Sequence, residues 1–568
     1  MNKSKIKTRQ IHLIVIIGVI LCIYAQSVNY DFTYFDDVTI LVNNKPFFTE
    51  DFSIEKIFTT DAFTTKESSF YRPLQNISFS FDAYIAGGIK PWMFHLTNVV
   101  LFLLIGILLY YLLLKFNITS RFAFFGTLLF ATNPLNVWAV VWVPSRGDLL
   151  LTLFTVFSFI CFINFLKSNK YIDLFIVFIS FSLALFSKET AALIPFLFLL
   201  YFIYEKGADN IRNIIAKINI KHYILAGLMV CIILLWFYLR YHAINHFNSE
   251  FLFKTLISNL QNIPVALSQF FIPYEISPLP KFSIIKILLG TLILIVLLYL
   301  AIKKTEIPRW EKFFFLAWFL LFLLPVFFIK LKNIDYLEHR FLLPQIGILL
   351  MIIKSIDLYI LSSHTLQRAK RAKQPGTSGT YHFIFYIIIF TFGITSFVKS
   401  QTLQNPLTVT EATIKHKGNT VISLLNRGGY YIDKELYEKA VRDFAKVIQL
   451  DITNEGAMTN LGNINYKFEN YENAINFYNA SLSLKKDHKV FFYRSLAKTH
   501  LKNFESAVLD LDSAIMLNNK SYLLYNNRGF LKMQLELIEE AISDFEESAR
   551  LSNSTPTLPD SLYTNFLF

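Results

Sequence analysis

The stretch MFHLTNVVLFLLIGILLYYLLL, residues 93–114, decides the fold because it contains no Asp, Glu, Lys or Arg. A helix of about 20 predominantly apolar residues crosses the hydrocarbon layer of a membrane, which is roughly 30 Å thick. The stretch therefore predicts a membrane-spanning helix. Similar apolar runs occur on both sides of it along the chain.

The whole composition agrees with an integral membrane protein. Of the 568 residues, 54% are hydrophobic and 17% are charged, whereas an ordinary soluble domain carries about 25% charged residues. About eleven apolar runs read as spans. They cover residues 11–28, 93–114, 121–142, 148–166, 171–187, 189–204, 222–240, 283–302, 311–329, 341–362 and 381–399. Residues 252–272 are predicted to form a further, partly inserted helix.

Basic residues fall in alternate loops, and this pattern predicts the topology. Loops rich in Lys and Arg face the cytoplasm. These loops are the N-terminal segment and residues 115–121, 167–170, 206–221, 303–312 and 368–373. The net charge of +13 is therefore a topology signal and not a nucleic-acid footprint.

The opposite, outer side is then occupied by the loops 29–92, 240–282 and 330–340 and by everything after about residue 400. The first run is interpreted as an uncleaved span, because no convincing small-x-small cleavage site follows it. The stretch Tyr24-Ala25-Gln26-Ser27 keeps a cleaved signal peptide open as the alternative. The three cysteines, Cys22, Cys161 and Cys231, lie in apolar runs and predict neither a disulfide nor a zinc site.

A repeat begins at about residue 420. Ala440, Ala474, Ala507 and Ala541 are spaced 34, 33 and 34 residues apart, each within a frame such as YEKA or FESA. A small residue stands twelve positions before each alanine and a large one four positions after it, which suits two closely packed helices. This pattern is similar to the tetratricopeptide repeat. About four repeats are predicted. They should form a solenoid that binds a protein partner or serves only as a scaffold or tether.

The domain organisation follows from these patterns. A membrane domain covers residues 1–400, with a large first external loop at 29–92. A linker at 401–419 leads to the repeats at 420–552 and to a tail at 553–568. The segment 362–380, which contains QRAKRAKQPGTSGT, is predicted to be a disordered cytoplasmic loop.

The stretch NYDFTYFDDVTILVNN, residues 29–44, places the acid pair Asp36 and Asp37 just outside the first span. Aromatic residues suited to a membrane interface flank the pair. A plain solvated loop is the alternative explanation. The loop is long, however, and long loops tend to be functional.

Six motifs follow one another along the chain: DDVTILVNN at 36–44, YRPL at 71–74, FHLTN at 94–98, RGDLL at 146–150, SKET at 187–190 and EHRFLLP at 338–344. In this order they resemble the transmembrane and tetratricopeptide-repeat O-mannosyltransferases of the GT-C superfamily. The resemblance extends over most of the chain and includes the repeats. The family usually shows His-Pro-x-His-x-Glu in the third span, where this chain reads NPLNVW at residues 133–138. Mannose is therefore only the default sugar.

The resemblance implies an all-α polytopic bundle that transfers a sugar from a polyprenyl phosphate with inversion. A hydroxyl loses its proton as it attacks the sugar, so a carboxylate should act as the base, and Asp36 or Asp37 is the candidate. Neighbouring carboxylates repel, so one carboxyl is expected to have a raised pKa or the pair to share a divalent cation. The metal requirement stays open.

Cations at the outer surface are expected to bind the leaving phosphate. The candidates are Arg340, His339, Arg240 and Arg146, with Lys188 at a comparable height. Acceptor or sugar contacts are expected from Arg72, Asp82, His95 and Glu338. Asp148 and Glu189 are expected to pair with the nearby Arg146 and Lys188. Snorkelling at helix ends is the structural alternative for each cation.

Three functions remain open at this stage. The first is transfer to an exported protein, with the repeats presenting it or recruiting a partner, and the second is transfer to a lipid or surface glycan by the same fold. The third is a non-enzymatic, membrane-anchored scaffold. Abundant Lys, Asn, Ile and Phe suggest a bacterium and hence the inner membrane, with the repeats on the periplasmic side. An endoplasmic reticulum membrane would give the same topology.

Overall fold

The fold was analysed in a computed structural model that describes residues 3–50, 53–64, 70–206, 218–244, 259–273, 282–303, 307–328, 337–370 and 377–552. Within these ranges the chain is helical and has no strand, which confirms the all-α prediction. The chain divides into two compact units, residues 1–409 and 410–568. The predicted tail at 553–568 lies outside the described residues.

The described residues before the repeats form helices, the last of which crosses the boundary between the two units. In chain order they are α1 (Lys3–Tyr24), α2 (Lys45–Thr49), α3 (Ile54–Phe58), α4 (Pro73–Ala86), α5 (Pro91–Lys115), α6 (Ser120–Thr132), α7 (Val137–Val141), α8 (Arg146–Ser168), α9 (Tyr171–Ser187), α10 (Ile194–Lys206), α11 (Ile220–Ala243), α12 (Asn262–Phe271), α13 (Ile284–Ile302), α14 (Arg309–Leu323), α15 (Gln345–Lys370), α16 (Thr377–Gln401) and α17 (Pro406–Lys417).

Among the described residues, seven helical segments are long and apolar enough to cross a membrane. They are Ile6–Asn29, Pro91–Lys115, Val143–Ser168, Ile220–Ala243, Ile284–Ile302, Arg309–Phe328 and Phe383–Gln401. The bent pair α6 and α7 makes an eighth if it is one span. The three other predicted spans are also helical: α9 and α10 are shorter, and α15 runs into residues 362–370, whose side chains are not described.

The predicted span at 121–142 is not straight but bends by 50° between α6 and α7. Pro134 stands at the break, where proline cannot continue the helix. The Asn133 side chain accepts a hydrogen bond from the backbone N–H of Leu135 at 3.0 Å and donates one to the Phe270 carbonyl at 3.0 Å. The NPLNVW stretch therefore fixes a bend in the backbone.

The predicted disordered loop at 362–380 is largely helical, so that prediction was wrong. Helix α15 runs to Lys370 and α16 begins at Thr377, while residues 371–376 lie outside the description. Leu366, Gln367, Arg368, Ala369 and Lys370 all favour a helix, so the charge-rich stretch continues α15. Of the helix predicted at 252–272, the described part is α12.

The second unit contains the predicted repeats as four helix pairs. They are α18 (Val421–Asp433), α19 (Tyr437–Leu450), α20 (Glu455–Lys467), α21 (Tyr471–Leu484), α22 (His488–His500), α23 (Phe504–Leu517), α24 (Tyr522–Gln534) and α25 (Ile538–Ser552). A Cβ atom on Gly428 would lie 2.6 Å from the Phe444 ring, and one on Gly462 would lie 2.5 Å from the Tyr478 ring. The small-to-large pattern is therefore a contact between the two helices of each pair.

Candidate functional site

The acid pair sits on a tight turn that is closed by one of its own members. Asp37 is 1% exposed, and its carboxylate accepts hydrogen bonds from the backbone N–H of Thr33 at 3.1 Å and from the Thr33 hydroxyl. Between them Tyr34 adopts a left-handed backbone with φ of 64°, which costs energy for a bulky side chain. The clasp between Thr33 and Asp37 therefore holds the turn that presents Asp36.

Asp36 is the open member of the pair. Its side chain is partly exposed, and within the described ranges its carboxylate accepts no hydrogen bond. Burial raises the pKa of Asp36, and the opposing charges of Arg72 and Arg340 limit the rise. Burial also raises the pKa of Asp37 to about 6 against its hydrogen bonds from Thr33. Asp36 therefore has a carboxylate that is free to accept a proton, whereas the carboxylate of Asp37 is used to fix the turn.

The predicted cation motif forms a short 3-10 turn, Glu338–Phe341, directly before α15. The Nε and Nη1 atoms of Arg340 are buried, and neither has a hydrogen-bond partner in the described part of the chain. Burial lowers the pKa of Arg340, while the charge of Asp148 opposes this effect. A buried guanidinium with two unused donors is costly unless a ligand satisfies it.

Arg340 lines a small cavity of about 30 Å³ that has a charged part and an apolar part. The charged lining also includes Asp148, Lys188 and Glu189. The apolar lining includes Phe322 at the end of α14, Pro325 and Val326 just after it, and Leu343 and Pro344 just before α15. This combination suits an anionic head group attached to a hydrocarbon chain.

Lys188 and Asp148 form a close pair within this cavity. The Lys188 ammonium donates to both carboxylate oxygens of Asp148, at 2.6 and 2.7 Å. Burial lowers the pKa of Lys188 to about 8, against the attraction of Asp148 and with repulsion from Arg72 and Arg340. A second pair joins Arg72 to Glu189, with nitrogen-oxygen distances of 3.1 and 3.3 Å. Burial by itself would raise the pKa of Glu189, but the charge and hydrogen bonds of Arg72 outweigh this effect and lower that pKa to about 2.

The predicted partners of these acids were wrong. Asp148 was expected to pair with Arg146 and Glu189 with Lys188, but the acids pair with Lys188 and Arg72 respectively. Residues one or two positions apart on a helix do not face each other. The true partners therefore come from other elements, which spacing along the sequence does not reveal.

Arg146 and Asp82 also differ from their predicted roles at the phosphate and the acceptor. Their side chains are fully buried and form an ion pair with each other. Arg146 also donates to the Asn98 side chain at 2.8 Å and to the Phe94 carbonyl at 2.6 Å. Its donors are engaged inside the protein, so the pair joins α4, α5 and α8 and does not face the cavity.

His339 was expected to act as a cation, but its surroundings keep it neutral. Burial and the charges of Lys188, Arg340 and Arg72 lower its pKa well below the ordinary value. Its ring lies against Trp142, with centroids 5.2 Å apart, and its Nε2 atom is 3.9 Å from Asp148. His339 therefore packs between Trp142 and Asp148 and does not line the cavity itself.

Three further predicted residues do not line the cavity. Arg240 lies over the Trp236 ring at 5.3 Å and within electrostatic range of Glu189. His95 is 1% exposed and packs edge-on against Tyr30. Glu338 is 2% exposed and forms an ion pair with Lys399 on α16. Neither His95 nor Glu338 is accessible to a sugar.

Two basic residues gain importance from the structure. Lys188 was named only for its height at the outer surface and as a partner of Glu189, yet it lines the cavity. Lys399 was not singled out at all, because its only signal is a charge at the end of an apolar run. No three His, Cys, Asp or Glu side chains among the described residues are grouped as metal ligands would be.

Comparisons with known proteins agree with this architecture. Residues 80–237 match the family described as dolichyl-phosphate-mannose-protein mannosyltransferase, and residues 456–488 match the tetratricopeptide repeat. The first match contains Asp148, Lys188 and Glu189, whereas Asp36 and Arg340 lie outside it. The predicted combination of a glycosyltransferase-type domain with repeats is therefore confirmed.

The curated relatives are protein O-mannosyl-transferases. The chain is 32% identical to TMTC4 of Mus musculus over 26% of its own length and 22% of the relative. It is 29% identical to TMTC4 of Homo sapiens over 36% of this chain and 31% of that one. It is 27% identical to TMTC3 of Homo sapiens over 28% of this chain and 17% of that one. The matches thus span less than a third of each relative's length.

Among solved structures, "Crystal structure of MamA" is 20% identical and covers 26% of this chain and 87% of that chain, with a TM-score of 0.25. This score is too low to support an inference.

Proposed function

From the pairing of a mannosyltransferase-type domain with tetratricopeptide repeats, we propose that the protein is a membrane glycosyltransferase. It moves a sugar, with mannose as the default, from a polyprenyl phosphate to a hydroxyl of an exported protein. The observation that carries the proposal is Arg340, a cation with two unused buried donors at a cavity that is charged on one side and apolar on the other.

Asp36 is the base in this proposal. The acceptor hydroxyl attacks C1 of the sugar from the face opposite the phosphate, and its proton passes to the Asp36 carboxylate. A new bond forms between C1 and the acceptor oxygen, and the bond between C1 and the phosphate oxygen breaks, so the configuration inverts. The raised pKa of Asp36 makes it a stronger proton acceptor than an exposed aspartate.

The leaving polyprenyl phosphate takes the electron pair of the broken bond and gains negative charge. Arg340 donates to it through Nε and Nη1, and Lys188 supplies a second positive charge beside it. A guanidinium can bind two phosphate oxygens at once because its donors lie in one plane. The apolar side chains of the cavity contact the start of the lipid chain, and the rest of that chain lies outside this small space.

The repeats in this proposal hold the acceptor protein or a partner that delivers it. The proposed location is the bacterial inner membrane because the composition suggests a bacterium, and the basic loops place the repeats on its periplasmic side. The alternative acceptor is a lipid or surface glycan.

A transfer assay with membranes and polyprenyl-phosphate mannose tests the proposal. Arg340→Gln should reduce transfer by about 100-fold or more, because the developing charge on the phosphate loses its donors. Arg309→Gln is the matched control, since Arg309 is exposed at the start of α14, and it should leave transfer unchanged. Equal transfer by both variants would contradict the proposal, and label found only on glycolipid would favour the glycan acceptor.

A further inference from the structure

The end of the last membrane helix, α16, contacts the cation motif of the site. The Lys399 ammonium donates to the Glu338 carboxylate, and it also donates to the Pro134 carbonyl at 3.2 Å. Glu338 begins the turn that carries Arg340 two residues later. One side chain thus joins α16, the bend before α7 and the turn of the unsatisfied arginine.

The residues around Lys399 also contact the start of the acid loop. The Gln26 side chain donates to the Ser400 hydroxyl at 2.6 Å and to the Phe397 carbonyl at 3.2 Å. The backbone N–H of Asp31 donates to the Gln404 carbonyl at 2.9 Å. Asp31 lies five residues before Asp36. We call residues 397–404 the bracket, since they hold the cation turn and the acid loop together.

The contact between Lys399 and Glu338 is buried, so water cannot replace either partner and the two side chains must stay together. The side chain of Lys399 is 3% exposed and that of Glu338 is fully buried. The second carboxylate oxygen of Glu338 is buried with no hydrogen-bond partner among the described residues. Lys399 therefore supplies the only counter-charge in contact with Glu338 there. Removing one partner of such a pair leaves an uncompensated buried charge.

We propose that Lys399 is a positioning residue that acts through Glu338 to set the place of Arg340 at the donor phosphate. This inference rests on the proposed function. Lys399 does not line the cavity, so its effect on the donor is indirect. Small displacements of a binding group away from the reacting atoms are enough to lower rates about 100-fold.

The test compares the Michaelis constants for donor and acceptor in the full-length, membrane-inserted protein. Lys399→Met should raise the KM for polyprenyl-phosphate mannose by about 10-fold or more and leave the KM for the acceptor unchanged. Lys399→Arg keeps the charge and should restore most of the donor affinity. Lys354→Met is the control. Lys354 is also buried, but it donates to the carbonyl of Phe116, the residue that follows α5, and contacts neither Glu338 nor Pro134.

The double variant Lys399→Met with Glu338→Gln separates positioning from folding. It leaves no unpaired buried charge, so stability should recover, but the turn stays unanchored and the donor KM should stay raised. A donor KM at the wild-type value, in the double variant or in a folded Lys399→Met protein, would overturn the inference. If the wild-type protein neither transfers sugar nor binds polyprenyl phosphate in a direct binding assay, the proposed function fails, and this inference fails with it.

Discussion

The two neighbouring aspartates have different environments although they are adjacent in the sequence. Asp37 is held by Thr33, whereas Asp36 is partly exposed and within electrostatic range of Arg72 and Arg340. The sequence indicated the pair but did not separate its members. The difference arises because successive side chains on a turn point in different directions, and only one of them reaches Thr33.

Matched amide variants should separate the two roles. Asp36→Asn should reduce transfer by about 100-fold or more, since an amide cannot accept the proton of the acceptor. Asp37→Asn should reduce it by less than about 10-fold, because the amide oxygen can still accept the hydrogen bonds from Thr33. Initial transfer rates, normalised to the amount of inserted protein, provide the measurement. A larger loss for Asp37→Asn than for Asp36→Asn would contradict the assignment.

The pH dependence of transfer should show the same acids. Burial raises the pKa of both carboxyls, that of Asp37 to about 6. A base acts only when deprotonated, so the wild-type rate should fall as the pH decreases through the raised pKa of Asp36. Asp37→Asn removes the negative neighbour, so the acidic limb of the pH-rate profile should move to lower pH. A limb that stays in place or moves upward would show that the two carboxyls are not coupled.

At the scale of elements, apolar runs and repeats were predictable because each depends on neighbours in the sequence. All eleven predicted runs fall on helices. The bend at Asn133 and Pro134 was not predicted. Pro134 marks the break locally, but the hydrogen bond from Asn133 to α12 joins residues that are distant in the sequence. The same limit applies to the pairs of Lys188 with Asp148 and Arg72 with Glu189, whose partners are brought together only by packing of the helices.

Two glycines of the same helix provide a test of the repeat packing. Gly456 and Gly462 both lie in α20, where alanine has the higher helix propensity by about 1 kcal/mol. A Cβ on Gly456 would meet only the Asn454 side chain, at 3.6 Å, so Gly456→Ala should stabilise the helix. On Gly462 it would lie 2.5 Å from the Tyr478 ring, so Gly462→Ala should destabilise the pair α20 and α21 by about 1 to 3 kcal/mol.

Hydrogen exchange of α20 and α21 in the full-length protein would measure both effects. Protection should increase for Gly456→Ala and decrease for Gly462→Ala. If both substitutions increased protection, the close approach of the two helices at Gly462 would be wrong.

For the whole molecule, the proposed transfer reaction requires that groups from distant parts of the chain meet at one site. Asp36 follows α1, Lys188 follows α9, and Arg340 precedes α15, yet the charges of Asp36 and Arg340 interact and Lys188 and Arg340 line one cavity. The resemblance to a family predicted which motifs belong to the site. Their shared location was a hypothesis that only the packing of the helices could test.

The most direct measurement is an experimental structure of the full-length protein with a polyprenyl-phosphate sugar bound. The phosphate should lie within hydrogen-bond distance of Nε and Nη1 of Arg340, beside Lys188. The Asp36 carboxylate should face the opposite side of the sugar carbon C1. A phosphate bound away from Arg340, or a sugar that Asp36 does not face, would contradict the proposed reaction.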